Sequence, residues 1–199
     1  VTRTKHDLRS EATRRALVTA ARALFGTRGY AEVGTEEIVR AAGVTRGALY
    51  HQFRDKADLF AAVAEQIEAE IADRIAAGAA QAADDPLGAL QAGARLFLDA
   101  CAEPEVERII LLDAPAVLGW QAWRDLASRY GLGLVQLALQ SAMDVGTIIP
   151  QPVAPLAHIL IGALDEAALY VARAEDPAAA RQRCAAIIDQ ILRSITTGD

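Results

Sequence analysis

The chain of 199 residues is predicted to be all-helical, with an N-terminal part and a larger C-terminal part joined by helix. Apolar residues return at i, i+3, i+4 and i+7 along most of the sequence, the period of one helix face. Runs that alternate apolar and polar residues, the sign of half-buried strands, are absent. Alanine and leucine dominate while aromatics make up 5%, a composition suited to closely packed helices. A chain of this length also buries a substantial core.

Leu17, Ala20, Ala21, Leu24 and Phe25 line one face of a first helix, expected over residues 10–27 with Ser10 as N-cap and Gly29 as exit. Tyr30 and Val33 are expected to pack beneath the next two helices. Residues 35–56, TEEIVRAAGVTRGALYHQFRDK, read as those two short helices around a tight corner. Thr35 is the expected N-cap of the first; Glu36 and Glu37 suit its positive end, and Ile38 and Val39 give it an apolar side. Gly43 supplies a positive φ at the corner. Thr45 is expected to cap the second helix, in which Leu49 and Phe53, four apart, face the core. Asp55 and Asp58 resemble a capping box at the start of a further helix.

That orientation leaves Arg46, Gly47, Ala48, Tyr50, His51 and Gln52 on the outer side. Arg46 can make a bidentate contact to guanine or phosphate, Gly47 and Ala48 let the backbone approach, and Tyr50 and His51 can donate to phosphate oxygens. Lys56 lies near a helix start, which itself attracts anions. Two helices, a glycine corner and such a face make a helix-turn-helix arrangement. The charge is divided accordingly. Residues 1–56 hold 11 Lys+Arg and 6 Asp+Glu, a balance of +5, and residues 57–199 hold 9 and 20, a balance of −11. A basic end on an acidic body is the local footprint of a nucleic-acid partner. Arg3, Lys5 and Arg9 are candidates for an arm toward DNA, or for a solvated tail.

From Asp55 a long helix is expected through Leu59, Phe60, Val63, Ile67, Ile71 and Ile75 to about Ala83, joining the two parts without linker composition. Asp85-Pro86 and Asp176-Pro177 each read as a cap followed by proline in the first turn. Pro115 is expected to end or kink the helix carrying Ile109, Ile110, Leu111 and Leu112. A helix over residues 119–143 contains Gly131 and Gly133, which implies close packing or a bend. Residues 146–155, with three prolines, read as a loop. Leu160, Ala163, Leu164, Ala167 and Tyr170 in one helix and Cys184, Ile187, Ile188 and Ile191 in the last form broad apolar stripes. Two copies of the chain would pair these as four helices; an intramolecular core is the other reading.

The run TEEIVRAAGVTRGALYHQFRDKADLF resembles the DNA-binding signature of the tetracycline-repressor (TetR) family of bacterial transcription regulators. RRALVTAARALFGTRGYAEVGT resembles that family's first helix and glycine-aromatic exit, and DAPAVLGWQAWRDLASRYGLGLVQLAL resembles the regulatory domains of one branch of it. The resemblance implies a three-helix helix-turn-helix DNA-binding domain at 1–56. A long helix joins it to a helical ligand-binding and dimerisation domain at 57–199. It also implies a homodimer through the last two long helices and a double-stranded, palindromic operator, released by a small, largely apolar effector. An activator or an effector-independent regulator is the alternative. By the same resemblance Thr35, Thr45, Tyr50 and Lys56 grip phosphates, and Arg46, Gly47 and Ala48 face base edges. Many relatives carry His at the place of Gln52, so either His51 or Gln52 takes the backbone contact. Glu36 stands where some relatives have a base-reading Arg. For the effector pocket, Phe97, Trp120, Trp123, Tyr130, Met143 and His158 are the candidates, apolar walls with polar tips. Asp113 either meets a cationic group or caps the helix beyond it.

Enzymatic motifs are missing. Di-metal helical bundles need Glu-x-x-His, but the residues three before His6, His51 and His158 are Arg3, Ala48 and Pro155. G-x-S-x-G, Walker, C-x-x-C and H-E-x-x-H patterns are also absent, so no catalytic residue, metal or cofactor is expected. No apolar run reaches about 18 uninterrupted residues and no signal peptide is evident, so a cytoplasmic protein without a membrane partner is expected. Cys101 and Cys184, inside helical patterns, are expected to stay reduced.

Overall fold

The computed structural model describes residues 5–82 and 85–197. Its helices are α1 (Lys5–Arg28), α2 (Thr35–Ala41), α3 (Arg46–Gln52), α4 (Lys56–Gln81), α5 (Pro86–Cys101), α6 (Pro104–Val106), α7 (Ala114–Leu118), α8 (Trp120–Asp144), α9 (Val153–Ala172) and α10 (Pro177–Ser194). A π-helical segment, Glu107–Asp113, separates α6 from α7. Internal contacts divide the chain into two compact units, a head and a body. The head holds residues up to 67 together with 104–122, and the body holds residues 68–103 together with those from 123 onward.

The head is built on apolar faces at helical spacing. Leu17, Ala21 and Phe25 of α1 are fully buried with Ile38 of α2, Leu49 of α3 and Leu59 and Phe60 of α4. Phe25, Tyr30 and Phe60 pack as an aromatic trio with ring centroids 5.2–5.7 Å apart. Gly29, at φ +83°, lets α1 end and the chain turn under this trio; Gly43, at φ +67°, makes the corner between α2 and α3.

Several local expectations change. The first helix starts at Lys5, so Ser10 lies inside it, and its hydroxyl receives the Gln52 Nε2 donor at 2.8 Å instead of capping. Lys5 and Arg9 are helical rather than a free arm; Arg3 lies outside the described residues. The N-cap of α2 is Gly34 in extended conformation, and Thr35 is the first helical residue. Thr45 does cap α3, accepting from the Ala48 amide at 3.2 Å. At the start of α4, Asp55 accepts from the Asp58 amide at 2.8 Å. Asp58 in turn accepts from the Arg54 amide at 3.0 Å, one residue outside a reciprocal box.

Residues 104–122 join the head through two polar ties. Arg22 donates to Glu105 at 2.8 Å, and the Tyr30 amide donates to Asp113 at 2.7 Å. Pro115 does not stop the chain. It sits in the first turn of α7, where a missing amide costs little, and the wider π segment precedes it.

In the body, Leu90 and Ala94 of α5, Leu139 and Ala142 of α8, Ala157 and Leu160 of α9 and Ile188 and Leu192 of α10 form one core with Ile148. Asp85 and Asp176 cap α5 and α10, accepting from Gly88 at 2.9 Å and Ala179 at 3.0 Å, each followed by proline. Helix α9 starts at Val153, which shortens the expected loop. An antiparallel bridge between Ile148 and Thr196 ties that loop to the chain after α10, a pairing that helical periodicity does not signal. Close packing does not explain the glycines of α8: a Cβ at Gly131 would meet only Ile161 at 3.9 Å, and one at Gly133 nothing within 4 Å. By length and composition α9 is apolar enough to cross a membrane, yet it carries Asp165 and Glu166 at mid-length.

Two acids are buried in the body. Glu68 and Asp165 are each 6% exposed. Arg124 pairs with Asp165, and among the described residues none donates a hydrogen bond to Glu68. Burial, reinforced by the charge of Asp165, pushes the Glu68 carboxyl up to about 7. Burial likewise raises Asp165 to about 6 against the pull of Arg124. A carboxyl raised in the folded state binds a proton that the unfolded chain has already released, so stability falls as pH climbs from about 4.5 to 7. Glu68→Gln removes that loss. Thermal or urea unfolding is expected to show the variant level with the parent near pH 4.5 and more stable by on the order of 2 kcal/mol above pH 7; a gap that does not widen with pH would contradict it.

Candidate nucleic-acid interface and effector region

Capping by Thr45 and burial of Leu49 fix how α3 lies in the head, so Thr45, Arg46, Gly47, Tyr50 and His51 are exposed together and Ala48 is half-buried beside them. Arg14 of α1 holds the far end of α3, its guanidinium 4.4 Å from the Phe53 ring and donating to the Gln52 carbonyl at 3.4 Å. Within the face, Arg46 donates to Glu36 at 3.0 Å and lies 5.6 Å from the Tyr50 ring. Both partners of this pair are about two-thirds exposed. Such a pair is worth at most about 1 kcal/mol, so a phosphate or guanine can take Arg46 from Glu36 at small cost. Sequence reasoning does not reach this pairing across α2 and α3. The unusual acid at position 36 is its only trace in the sequence.

Two predicted contact residues are engaged elsewhere. Gln52 is half-buried and tied to Ser10, whereas His51 is exposed; of the two, His51 is the one turned outward. Lys56 donates to the carbonyls of Tyr30 at 2.9 Å and Val33 at 3.0 Å, with its ammonium 3.9 Å from the Tyr30 ring centroid. In the turn after Gly29 the Tyr30 carbonyl also accepts the Val33 amide at 3.4 Å, and the Lys56 cation adds a charge-assisted bond to it and to the Val33 carbonyl.

The candidates for the effector pocket are spread over both units. Trp123 is buried in the body, where Phe97, Tyr130 and Met143 are half-buried; Met143 packs against the core. Asp113 and Trp120 belong to the head. Asp113 accepts the Tyr30 amide and, at the N-cap position of α7, makes no side-chain cap bond, and Trp120 is exposed. His158 is exposed on α9 rather than turned inward. Sequence spacing places residues on a helix but not on the side that becomes interior. Glu68, Asp165 and Arg124 are absent from the sequence-based candidates, although both acids fall on buried stripes, Glu68 between Ala64 and Ile71 and Asp165 between Ile161 and Ala168.

The two stripes expected to pair copies of the chain separate into inner and outer parts. Leu160 and Ile188 are core residues of the single chain, with Ala163 and Leu164 packed against that core. The outer part holds Tyr170, Ile187 and Ile191, all exposed, with Ile159 in addition; Ala167 and Cys184 are half-buried. Both cysteines are free, and burial pushes the Cys101 thiol well above its usual range.

Comparison with known proteins matches this architecture from end to end. A family model described as bacterial regulatory proteins, tetR family, matches residues 17–63. One described as tetracyclin repressor-like, C-terminal domain, matches residues 87–195, more than half of the chain. The chain belongs to the TetR family. A TetR-family transcriptional regulator from Pectobacterium atrosepticum is 35% identical, with 98% of this chain and 99% of that one aligned at a TM-score of 0.86. The HTH-type transcriptional regulator AcrR of Shigella flexneri is 33% identical over 102 residues, 51% of this chain and 47% of that protein. The regulator TtgR of Pseudomonas putida is 38% identical over 92 residues, 46% of this chain and 42% of its own. The chain thus spans about half the length of the curated relatives it matches. RolR, crystallised with the ligand resorcinol, shares the TetR fold at 21% identity and a TM-score of 0.74, over 96% of each chain.

The geometry gives Lys56 a structural task in this TetR head besides any contact with DNA. Lys56→Met is expected to lower the unfolding free energy by about 1–3 kcal/mol through loss of its charge-assisted bonds. Unchanged stability in urea would contradict that task.

Proposed function

We propose that this TetR-family protein is a homodimeric transcriptional repressor that acts on bacterial DNA in the cytoplasm, with a DNA-binding domain at 1–56 and an effector-binding and dimerisation domain at 57–199. The observation that carries the reading is the exposed side of α3, where Arg46, Tyr50 and His51 stand over a backbone made thin by Gly47 and Ala48. Thr35, Thr45, Tyr50, His51 and Lys56 are assigned to phosphates, and Arg46, Gly47 and Ala48 to base edges in the major groove. Lys56 keeps a third ammonium hydrogen beyond the two it gives to the chain.

One α3 reads too few base pairs for a useful choice among genomic sites, so a two-fold pair on a palindrome is required. The exposed Ile159, Tyr170, Ile187 and Ile191 on α9 and α10 supply an apolar surface for that pairing. An effector acts by binding one arrangement of the paired heads better than the other, and releases the operator only to the extent of that difference. AcrR, TtgR and the Pectobacterium protein are transcriptional regulators, and RolR was crystallised with a small aromatic ligand, which favours the same division of labour here.

Arg46→Ala is expected to weaken operator binding by about 1–3 kcal/mol and to relax selectivity at one base pair per half-site. Fluorescence anisotropy against a set of single-base operator variants measures both. Unchanged affinity and selectivity would remove Arg46 from the reading face. An operator complex that no small molecule disturbs would favour an effector-independent regulator.

A further inference from the structure

Glu36 sits beside the exposed face of α3, and the fold of the head does not require it. Residues 35–56 hold three acids, Glu36, Glu37 and Asp55. Glu37 turns back to Arg28 of α1, its Oε1 accepting from Nη1 at 2.5 Å, and Asp55 accepts the Asp58 amide at the start of α4. Glu36 is the one of the three that reaches α3, where its Oε1 accepts from Nη1 of Arg46 at 3.0 Å. Its side chain is exposed and adds nothing to the buried side that Ile38 and Val39 give α2. The pair is too weak to hold the two helices together, and the buried Ile38 and Leu49 and the Thr45 cap already do so.

A carboxylate facing a duplex is repelled by the phosphates whatever the sequence, so Glu36 lowers affinity unless some sequence offsets it. Arg46 supplies the offset. A guanidinium carries five N–H donors in one plane, and guanine O6 and N7 take two of them. Glu36 engages Nη1, and among the described residues no other acceptor takes a hydrogen bond from Arg46, so its Nε–Nη2 edge is left for a base. The Tyr50 ring lies 5.6 Å from the same guanidinium. Guanine therefore binds without displacing Glu36, and a fork held by two neighbours loses less rotamer freedom on contact than a free one. We propose that Glu36 is a positioning residue for base recognition: it fixes the Arg46 fork, and the two side chains read one guanine per half-site as a unit. This rests on the reading of α3 as the helix set into the major groove. Adenine, thymine and cytosine offer the fork no adjacent pair of acceptors, and there the repulsion of the carboxylate stands unopposed. Glu36 thus exchanges affinity for selectivity.

The test is selection of duplexes from a random-sequence pool by the full chain, by Glu36→Ala, by Arg46→Ala and by the double variant, with the bound fraction sequenced. The parent is expected to enrich one guanine per half-site, and Arg46→Ala to lose that preference. Glu36→Ala is expected to lower the guanine preference about fivefold, the scale of one exposed ion pair, while binding the unselected pool about twofold or more tightly. In the Arg46→Ala background the same change is expected to leave the sequence profile as it is. A Glu36→Ala chain that keeps the parent's guanine preference overturns the proposal and leaves Glu36 a plain surface charge, with the DNA reading intact. A change of profile that appears equally in the Arg46→Ala background overturns it as well, since Glu36 then acts without Arg46. If the parent enriches no sequence, the DNA reading itself fails and the pair with it.

Discussion

The head depends on a cation placed where the chain leaves its first helix. After Gly29 the backbone turns sharply, and the Tyr30 carbonyl takes a long turn bond from the Val33 amide, at 3.4 Å. Lys56, at the first residue of α4, donates to that carbonyl and to the Val33 carbonyl and rests against the Tyr30 ring, which packs in turn on Phe25 and Phe60. One side chain thus ties the exit of α1 to the start of α4, across the two short helices between them. Helices of seven residues are unstable in isolation, so α2 and α3 rely on this closure and on the buried Ile38 and Leu49. Residues 104–122 add to the same place, since Asp113 takes the Tyr30 amide beside the carbonyl that Lys56 takes.

The body is held together differently. Most of its interior is aliphatic, and it relies on helix caps and large apolar faces. Into that interior the sequence sets two acids and an arginine, and the acids destabilise the folded chain wherever they must ionise. Local cost of this kind recurs at functional sites, because a group fully satisfied by its own protein has little left to offer a ligand. The outer surfaces of α9 and α10 leave Ile159, Tyr170, Ile187 and Ile191 in solvent in the single chain, which a second copy would cover.

Most of the fold is legible in the sequence because its signals are local. Helical period, Asp-Pro starts and glycine exits place nearly every helix, and Thr45, Gly43, Leu49 and Phe53 behave as their chemistry requires. The failures share one cause: the deciding partner lies far away in sequence. Ser10 reads as a cap until Gln52, 42 residues on, takes its hydroxyl. Asp113 reads as a helix cap until the Tyr30 amide, 83 residues back, takes its carboxylate. Leu160 and Ile188 read as interface because a stripe does not reveal whether its cover is the same chain or another. Glu68 and Asp165 are open to detection, since a carboxylate on an apolar stripe marks a buried charge whatever packs against it.

The central claim is that two copies of the chain, joined through their C-terminal helices, set two α3 faces into one duplex. Sedimentation velocity of the purified chain, alone and with duplex DNA taken from beside its own gene, tests this most directly. The account predicts a dimer in the absence of DNA and a complex with an even number of chains per duplex at modest ionic strength. A monomer that leaves the sedimentation of every duplex unchanged would contradict it.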